Sequence, residues 1–392
     1  MSNQNRTIYG GKVNREKPIN FVFNGKSYIG YQGDTLASAL LANDVHLIGR
    51  SFKYHRARGI LTAGSEEPNA IVQLGLGART EPNIRATEVE LYEGLEASSQ
   101  NCWPSVNFDI GAMNNFLSRI FPAGFYYKTF KWPPSMWLFY EHFIRKAAGL
   151  GQSPTAKNPD RYEQKFYYTD ITIVGGGISG LLAALGAGRS GCKVLLIDEN
   201  PELGGYLLDY NFSINEKDGK KWLKKIIDEL NVLANVVILK RTTAMGYYDY
   251  NYLTALEKVT NHHVEFSSTL PRERYWRIRS KKVILAQGAF ERPLVFADND
   301  RPGIMMASAG QKYLSRYGVL PGKSVVLFTN NDHAYLTAFE FVKKGAKVTV
   351  VDTRDLLNAR ISEKCKSLNI TVFKSYSCLL YTSDAADEKR GG

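Results

Sequence analysis

Residues 170–199 read DITIVGGGISGLLAALGAGRSGCKVLLIDE. Gly175, Gly177 and Gly180 stand at GxGxxG spacing, with Ile178 and Ser179 between the last two. This arrangement captures a pyrophosphate. Gly175 permits a tight turn, Gly177 lets the backbone approach the phosphates, and Gly180 lets the following helix pack closely on the strand. The N–H groups opening that helix, with roughly half a positive charge, complete an anion site. Asp198 and Glu199 close the second apolar run. A carboxylate there accepts hydrogen bonds from the adenosine ribose and repels a 2′-phosphate, which favours NAD or FAD over NADP. Glu199 lies roughly twenty residues beyond Gly177, the distance of the dinucleotide fingerprint.

The glycines require a strand before them and a helix after them, and the sequence provides both. Asp170–Val174 is short, β-branched and apolar; LLAALGAG is rich in small helix formers; KVLLIDE is a second strand. Lys282–Ala286 is a further buried strand, ending at Gln287-Gly288. KSVVLFTNNDHAYLTAFEFVKKGAKVTVVDTR reads as a second βαβ unit. Its turn contains no glycine, so a structural sheet extension is at least as good a reading as a second nucleotide site.

Other arrangements carry less. Gly318, Gly322, Lys323 and Ser324 imitate a phosphate loop, but a strand follows them where a helix is needed. His262 and His263 are adjacent, with no metal-ligand array around them, and read as loop residues. No serine or cysteine has nucleophile-elbow spacing. No catalytic residue and no metal ligand is assigned.

The chain is predicted to be α/β. INFVFNGKSYIGY alternates around Asn24-Gly25, a tight-hairpin signal, and Asp34 and Thr35 stand where the helix LASALLAND needs a cap. With AIVQLG and ATEVELYEG as returning strands, residues 1–100 form a β-grasp, ferredoxin-like domain. Residues 101–165 are an aromatic-rich connection that packs between domains or at a subunit interface, ending in the linker GLGQSPTAKNPDR. Residues 166–322 form the first part of a Rossmann-type domain, and 323–377 an incomplete second βαβ unit. Residues 378–392 lose all periodicity and read as a non-native tail, the translation of a sequencing adapter.

Fifty Lys and Arg against thirty-eight Asp and Glu give a net charge of +12. This could attract an anionic cofactor or an acidic subunit; no nucleic-acid-binding pattern accompanies the basic run RSFKYHRARG. No stretch approaches the ~18 apolar residues of a membrane span, and the polar start lacks a secretory h-region. Four dispersed cysteines fit a reducing, cytoplasmic compartment.

GDTLASALLAN, GRSFKYHRARGI, SEEPNAIVQLG, FPAGFYYKTFKWP, the GGGISG unit with IDENPELGG, and NDRPGIMMASAGQKYLSRYGVLPG together resemble the α subunits of heterotetrameric sarcosine oxidases, over nearly the whole chain. In flavin-type members of this fold an acid, three residues and Leu-Gly-Gly close the ribose strand. Glu199, followed by Leu203, Gly204 and Gly205, fits that frame better than Asp198. Such flavoproteins carry Ala-Thr-Gly where this chain has Ala286, Gln287 and Gly288. The resemblance implies a ferredoxin-like domain without its iron–sulfur cluster, in keeping with the absence of cysteine before Cys102. It implies NAD at the Rossmann site, with FAD as the alternative there, and FAD and FMN elsewhere in the complex. The complex would demethylate sarcosine to glycine, giving peroxide and either formaldehyde or methylene-tetrahydrofolate, with the amine-oxidising groups on a partner subunit. The alternative is a self-sufficient FAD-dependent dehydrogenase, or an opine or proline dehydrogenase subunit. The resemblance further implies that the chain stops short of its family's length. The apolar faces of Val325–Phe328 and Val348–Val351 are then expected to lack cover.

Overall fold

The computed structural model describes residues 4–116, 132–147, 149–214, 216–263 and 269–376. The chain forms two compact units, residues 1–158 with 291–392 and residues 159–290. Residues 291–322, grouped with the Rossmann segment on sequence grounds, therefore fall in the first unit.

In the first unit, β1 (Asn14–Phe23) and β2 (Lys26–Gln32) form the expected hairpin, with Phe23 opposite Lys26. Asn24 and Gly25 both have positive φ, as a two-residue turn matched to strand twist requires. β3 (Ile71–Leu74), β4 (Glu81–Arg85) and β5 (Leu95–Ser99) complete a sheet of order β2-β1-β5-β3-β4. Helix α1 (Leu36–Ala42) is buried along its whole length, as a helix apolar on all sides must be. Thr35 caps it in a reciprocal box with Ser38, while Asp34 instead pairs with Arg6 at 2.8 Å.

ATEVELYEG is not a strand. Ala86, Val89 and Leu91 are buried, but Leu36 and Ala37 donate to the Val89 and Ala86 carbonyls, and Leu91 donates to Asp34. The segment wraps the start of α1, and its alternating burial comes from helix contact rather than strand pairing. Among the described aromatics of the 101–150 segment, Trp103, Phe108, Phe116, Trp132 and Phe139 are exposed. FPAGFYYKTFKWP falls mostly outside the described residues. Helix α2 (Trp137–Ala147) follows it.

The second unit holds β6 (Tyr162–Val174), α3 (Ile178–Arg189), β7 (Val194–Ile197), α4 (Gly219–Val232) and β8 (Val236–Leu239). The hairpin β9 (Thr242–Tyr248) and β10 (Tyr252–Lys258) follows, and then β11 (Glu273–Leu285). The order is β8-β7-β6-β11-β10-β9, parallel through β11 and antiparallel beyond it. β6 and β11 pair from Tyr162–Glu273 to Val174–Leu285, well upstream of the strands read from sequence. Their first halves alternate polar and aromatic residues, which hides the strand from an apolar-run search. β7 is buried on both faces. Val194 and Leu196 pack with Leu181, Leu203 and Leu223, while Leu195 and Ile197 pack with Leu253, Trp276 and Ile278. Each such side chain contributes roughly 1.5–3 kcal/mol, which holds the ends of β6 and β7 in fixed register.

The rest of the first unit contains α5 (Ala307–Lys312) and a parallel sheet of β12 (Ser324–Thr329), β13 (Lys347–Asp352) and β14 (Thr371–Phe373), with α6 (His333–Lys343) and α7 (Ala359–Ser367). Val348 and Val350 are only 4% and 1% exposed, contrary to expectation, because Tyr335, Phe339 and Cys365 of α6 and α7 cover them. Val326 of the edge strand β12 does stand 67% exposed.

Candidate functional site

The end of β6 enters the glycine turn with Gly175 at φ +106, a conformation open to glycine at low cost. A Cβ on Gly175 would strike the Ala286 carbonyl, and one on Gly180 would strike the Gly175 carbonyl oxygen. The strand β6, the end of β11 and helix α3 thus meet at van der Waals distance, and only hydrogen fits between them. At Gly177, by contrast, an added Cβ would meet nothing within 4 Å. Gly177 is the N-cap of α3 and supplies no side-chain cap, so the first-turn N–H groups of Ile178 and Ser179 receive no acceptor from it.

The two acids at the end of β7 have different environments. Asp198 turns toward the glycine loop: its Oδ2 accepts the Gly176 N–H at 2.6 Å, and its Oδ1 accepts from the Asn200 backbone and side chain at 2.8 and 3.1 Å. Glu199 is exposed beside it. Asp198 shapes the loop, and Glu199 is the carboxylate presented outward. The second glycine pair closes on the first. Gly204 (φ +135) donates its N–H to the Gly176 carbonyl at 2.8 Å, and a Cβ on Gly205 would come within 3.2 Å of the Gly177 Cα. Gly288 (φ +75) is exposed just beyond β11, with nothing near its Cβ position. The residues assigned to a cofactor from the sequence therefore lie at the carboxyl ends of β6, β7 and β11, where ligands of parallel α/β sheets bind.

Sequence reasoning assigned no role to Gly176. Gly176 is the donor that holds Asp198, and a Cβ on it would collide with the Leu203 side chain. The middle glycine of GGGISG, which GxGxxG does not require, was the available signal.

The corresponding turn of the second βαβ unit is closed by its own side chains. Asn331 accepts the His333 N–H through Oδ1 at 3.0 Å, and Thr329 Oγ1 accepts the Asn331 N–H at 3.1 Å. Asp352, at the end of β13, accepts from the buried Tyr335 hydroxyl at 2.8 Å and from Arg354, which also bridges to Asp332 at 2.8 Å. Burial works to raise the Asp352 pKa, but the Arg354 and Tyr335 hydrogen bonds outweigh it and hold the carboxyl below its ordinary value. Burial, and then Asp352, push the Tyr335 hydroxyl up. A cleft of about 1410 Å³ runs along β12 past Asn330 and Asn331. His262 and His263 contact each other, and no group of three potential metal ligands occurs among the described residues. No helix among them is long and apolar enough to cross a membrane.

Residues 16–102 match the family described as "2Fe-2S iron-sulfur cluster binding domain", and residues 170–245 match "FAD dependent oxidoreductase". The chain is homologous to the sarcosine oxidase subunit alpha of Rhizobium meliloti (strain 1021), at 53% identity over 346 residues, which are 88% of this chain and 35% of that protein. The corresponding subunit of Corynebacterium sp. (strain U-96) is 33% identical over 359 residues, 90% of this chain and 32% of its own. The chain thus spans about a third of the length of these relatives. The crystal structure of L-proline dehydrogenase from P. horikoshii superposes with a TM-score of 0.59 at 19% identity, covering 91% of this chain and 57% of that one, which shows a shared fold.

Proposed function

We propose that this chain, a homologue of the sarcosine oxidase α subunits, is the dinucleotide-binding part of a cytoplasmic multi-subunit amine oxidase that demethylates sarcosine. The observation that carries this reading is the glycine turn. It is open at Gly177 and sterically closed at Gly175 and Gly180, and the exposed Glu199 follows the second strand. The pyrophosphate would lie on the N–H groups of Gly177, Ile178 and Ser179, with Gly204, Gly205 and Gly288 leaving room for the rest of the cofactor. NAD fits an acid at the ribose position. FAD at the same site is the second reading, favoured by the flavin-dependent family that residues 170–245 match. Either nucleotide supplies hydride chemistry when bound. The chain's own residues hold it, and the groups that oxidise the amine belong to a partner subunit, with tetrahydrofolate receiving the one-carbon unit. The ferredoxin-like domain serves as a cluster-free scaffold.

A visible spectrum of the purified chain, with mass spectrometry of the nucleotide released on denaturation, tests this reading. Colourless protein releasing NAD supports it, and yellow protein releasing FAD supports the second reading. Protein that releases neither, and binds neither on titration, refutes both.

A further inference from the structure

The Glu67 carboxyl is 1% exposed and is held by backbone donors rather than by a cation. Oε2 accepts the N–H groups of Leu61 (2.9 Å) and Thr62 (2.6 Å) and the Thr62 hydroxyl (3.2 Å). Oε1 accepts those of Asn69 (2.7 Å) and Ala70 (2.9 Å). A carboxylate gathering this many N–H groups is the organising centre of its loop.

The positions around it have a pattern. Thr62, Glu67 and Ala70 are spaced as the first three cysteines of a plant-type cluster loop, C-x4-C-x2-C. They lie inside the segment that matches an iron–sulfur-binding family. A fourth chain position reaches the same loop: the Thr87 hydroxyl donates to the Gly64 carbonyl at 2.7 Å, and the Ala86 N–H donates to the Ala70 carbonyl at 2.9 Å. The donor set present is two hydroxyls, a methyl and a carboxylate. These do not fit a cluster, which is held by thiolates.

We propose that the Glu67 carboxylate occupies the place of the cluster and takes over its structural task. It presents a single buried negative charge to the N–H groups that would otherwise face cluster sulfur. The domain is then redox-silent, and its loop is a fixed anchor. The Tyr313 hydroxyl donates to the Thr62 carbonyl at 2.8 Å, and Met306 donates to Leu61, so the chain around α5 is tied to the loop that Glu67 orders. This inference rests on reading the domain as cluster-free.

The test uses the full chain. After anaerobic incubation with ferrous iron and sulfide, the unmodified protein is expected to bind no stoichiometric iron and to gain no visible charge-transfer absorbance. Uptake of iron would overturn the cluster-free reading and the proposal with it. Hydrogen exchange tests Glu67 separately. In Glu67→Gln, which keeps the side-chain volume and one acceptor oxygen, the Thr62, Asn69 and Ala70 amides are expected to exchange roughly ten- to a hundredfold faster, the range for hydrogen bonds to a charged group. The β1–β2 amides should stay as protected as before. Unchanged exchange at the three loop amides would overturn the Glu67 assignment while leaving the cluster-free reading intact. The variant Thr62→Cys, Glu67→Cys, Ala70→Cys, Thr87→Cys is expected to assemble an iron–sulfur chromophore on reconstitution. Folded protein of this variant without the chromophore would overturn the positional assignment. Should it fold only with iron and sulfide, the assignment stands.

Discussion

The molecule contains two strand–turn–helix units that start alike and finish differently. Both place an aspartate at the end of the second strand, Asp198 in one and Asp352 in the other. In the first unit that aspartate holds the glycine loop through the Gly176 N–H, and the space beside Gly177 is open. In the second, Asp352 is engaged by Tyr335 and Arg354, and Asn331 caps the start of α6 from within its own turn. A helix N-terminus is an anion site only while its N–H groups have no other acceptor. The comparison places the difference between the two units in the turn rather than in the βαβ topology, and the proposed nucleotide site depends on that difference.

The largest effect is expected from Gly180→Ala. Its methyl would press on the Gly175 carbonyl, so the turn must open, at about 3 kcal/mol of stability or more. Binding of NAD or FAD should fall below detection by calorimetry, whereas Asn331→Gly, in the other turn, should leave that binding unchanged. Retained affinity in Gly180→Ala would remove the distinction between the two turns.

Asp352→Ala should cost about 2 kcal/mol, the range for leaving a buried polar group unsatisfied, because the Tyr335 hydroxyl loses its acceptor while Arg354 keeps Asp332. The pH dependence has a definite sign. The folded-state pKa of Asp352 is depressed, so its contribution is present above the ordinary aspartate value of 3.8 and disappears as the pH falls below it. Thermal melts of the unmodified chain should therefore fall more steeply with acid than those of Asp352→Ala. Parallel curves would contradict this.

Glu199→Ala should weaken dinucleotide binding by roughly 1.5–3 kcal/mol and relax discrimination against a 2′-phosphate. Asp198→Ala should instead lower the melting temperature, since it leaves the Gly176 N–H without its acceptor. Identical behaviour of the two variants would undo the division of roles at the end of β7. Smallest of all, Asp332→Asn should cost under about 1 kcal/mol, because its bridge to Arg354 is half-exposed and screened by solvent. A larger loss by chemical denaturation would show that the second turn depends on this pair.

The readings that succeeded from sequence rest on local sterics. Asn24-Gly25 turns because both residues adopt positive φ, and Thr35 caps α1 through a side chain three residues from its acceptor site. The glycine spacing at Gly175–Gly180 specifies a strand-to-helix turn that few other residues could make. These features depend on bonds within a few residues, so the residue types carry them. What depended on distant partners was decided by the folded chain. ATEVELYEG has the alternation of a strand, yet its carbonyls and N–H groups go to the start of α1. The polar–aromatic halves of β6 and β11 become strands by pairing with each other across a separation of more than a hundred residues. Of the two adjacent acids, spacing favours Glu199 for the ribose, but only the fold shows that Asp198 is the one the Gly176 N–H reaches. Nothing in the sequence singles out Glu67, and only the fold gathers N–H groups around its carboxyl. The sequence determines where the backbone can turn. Only the tertiary structure settles which hydrogen-bonding groups are satisfied internally and which remain for a ligand, because that depends on every element brought to the site.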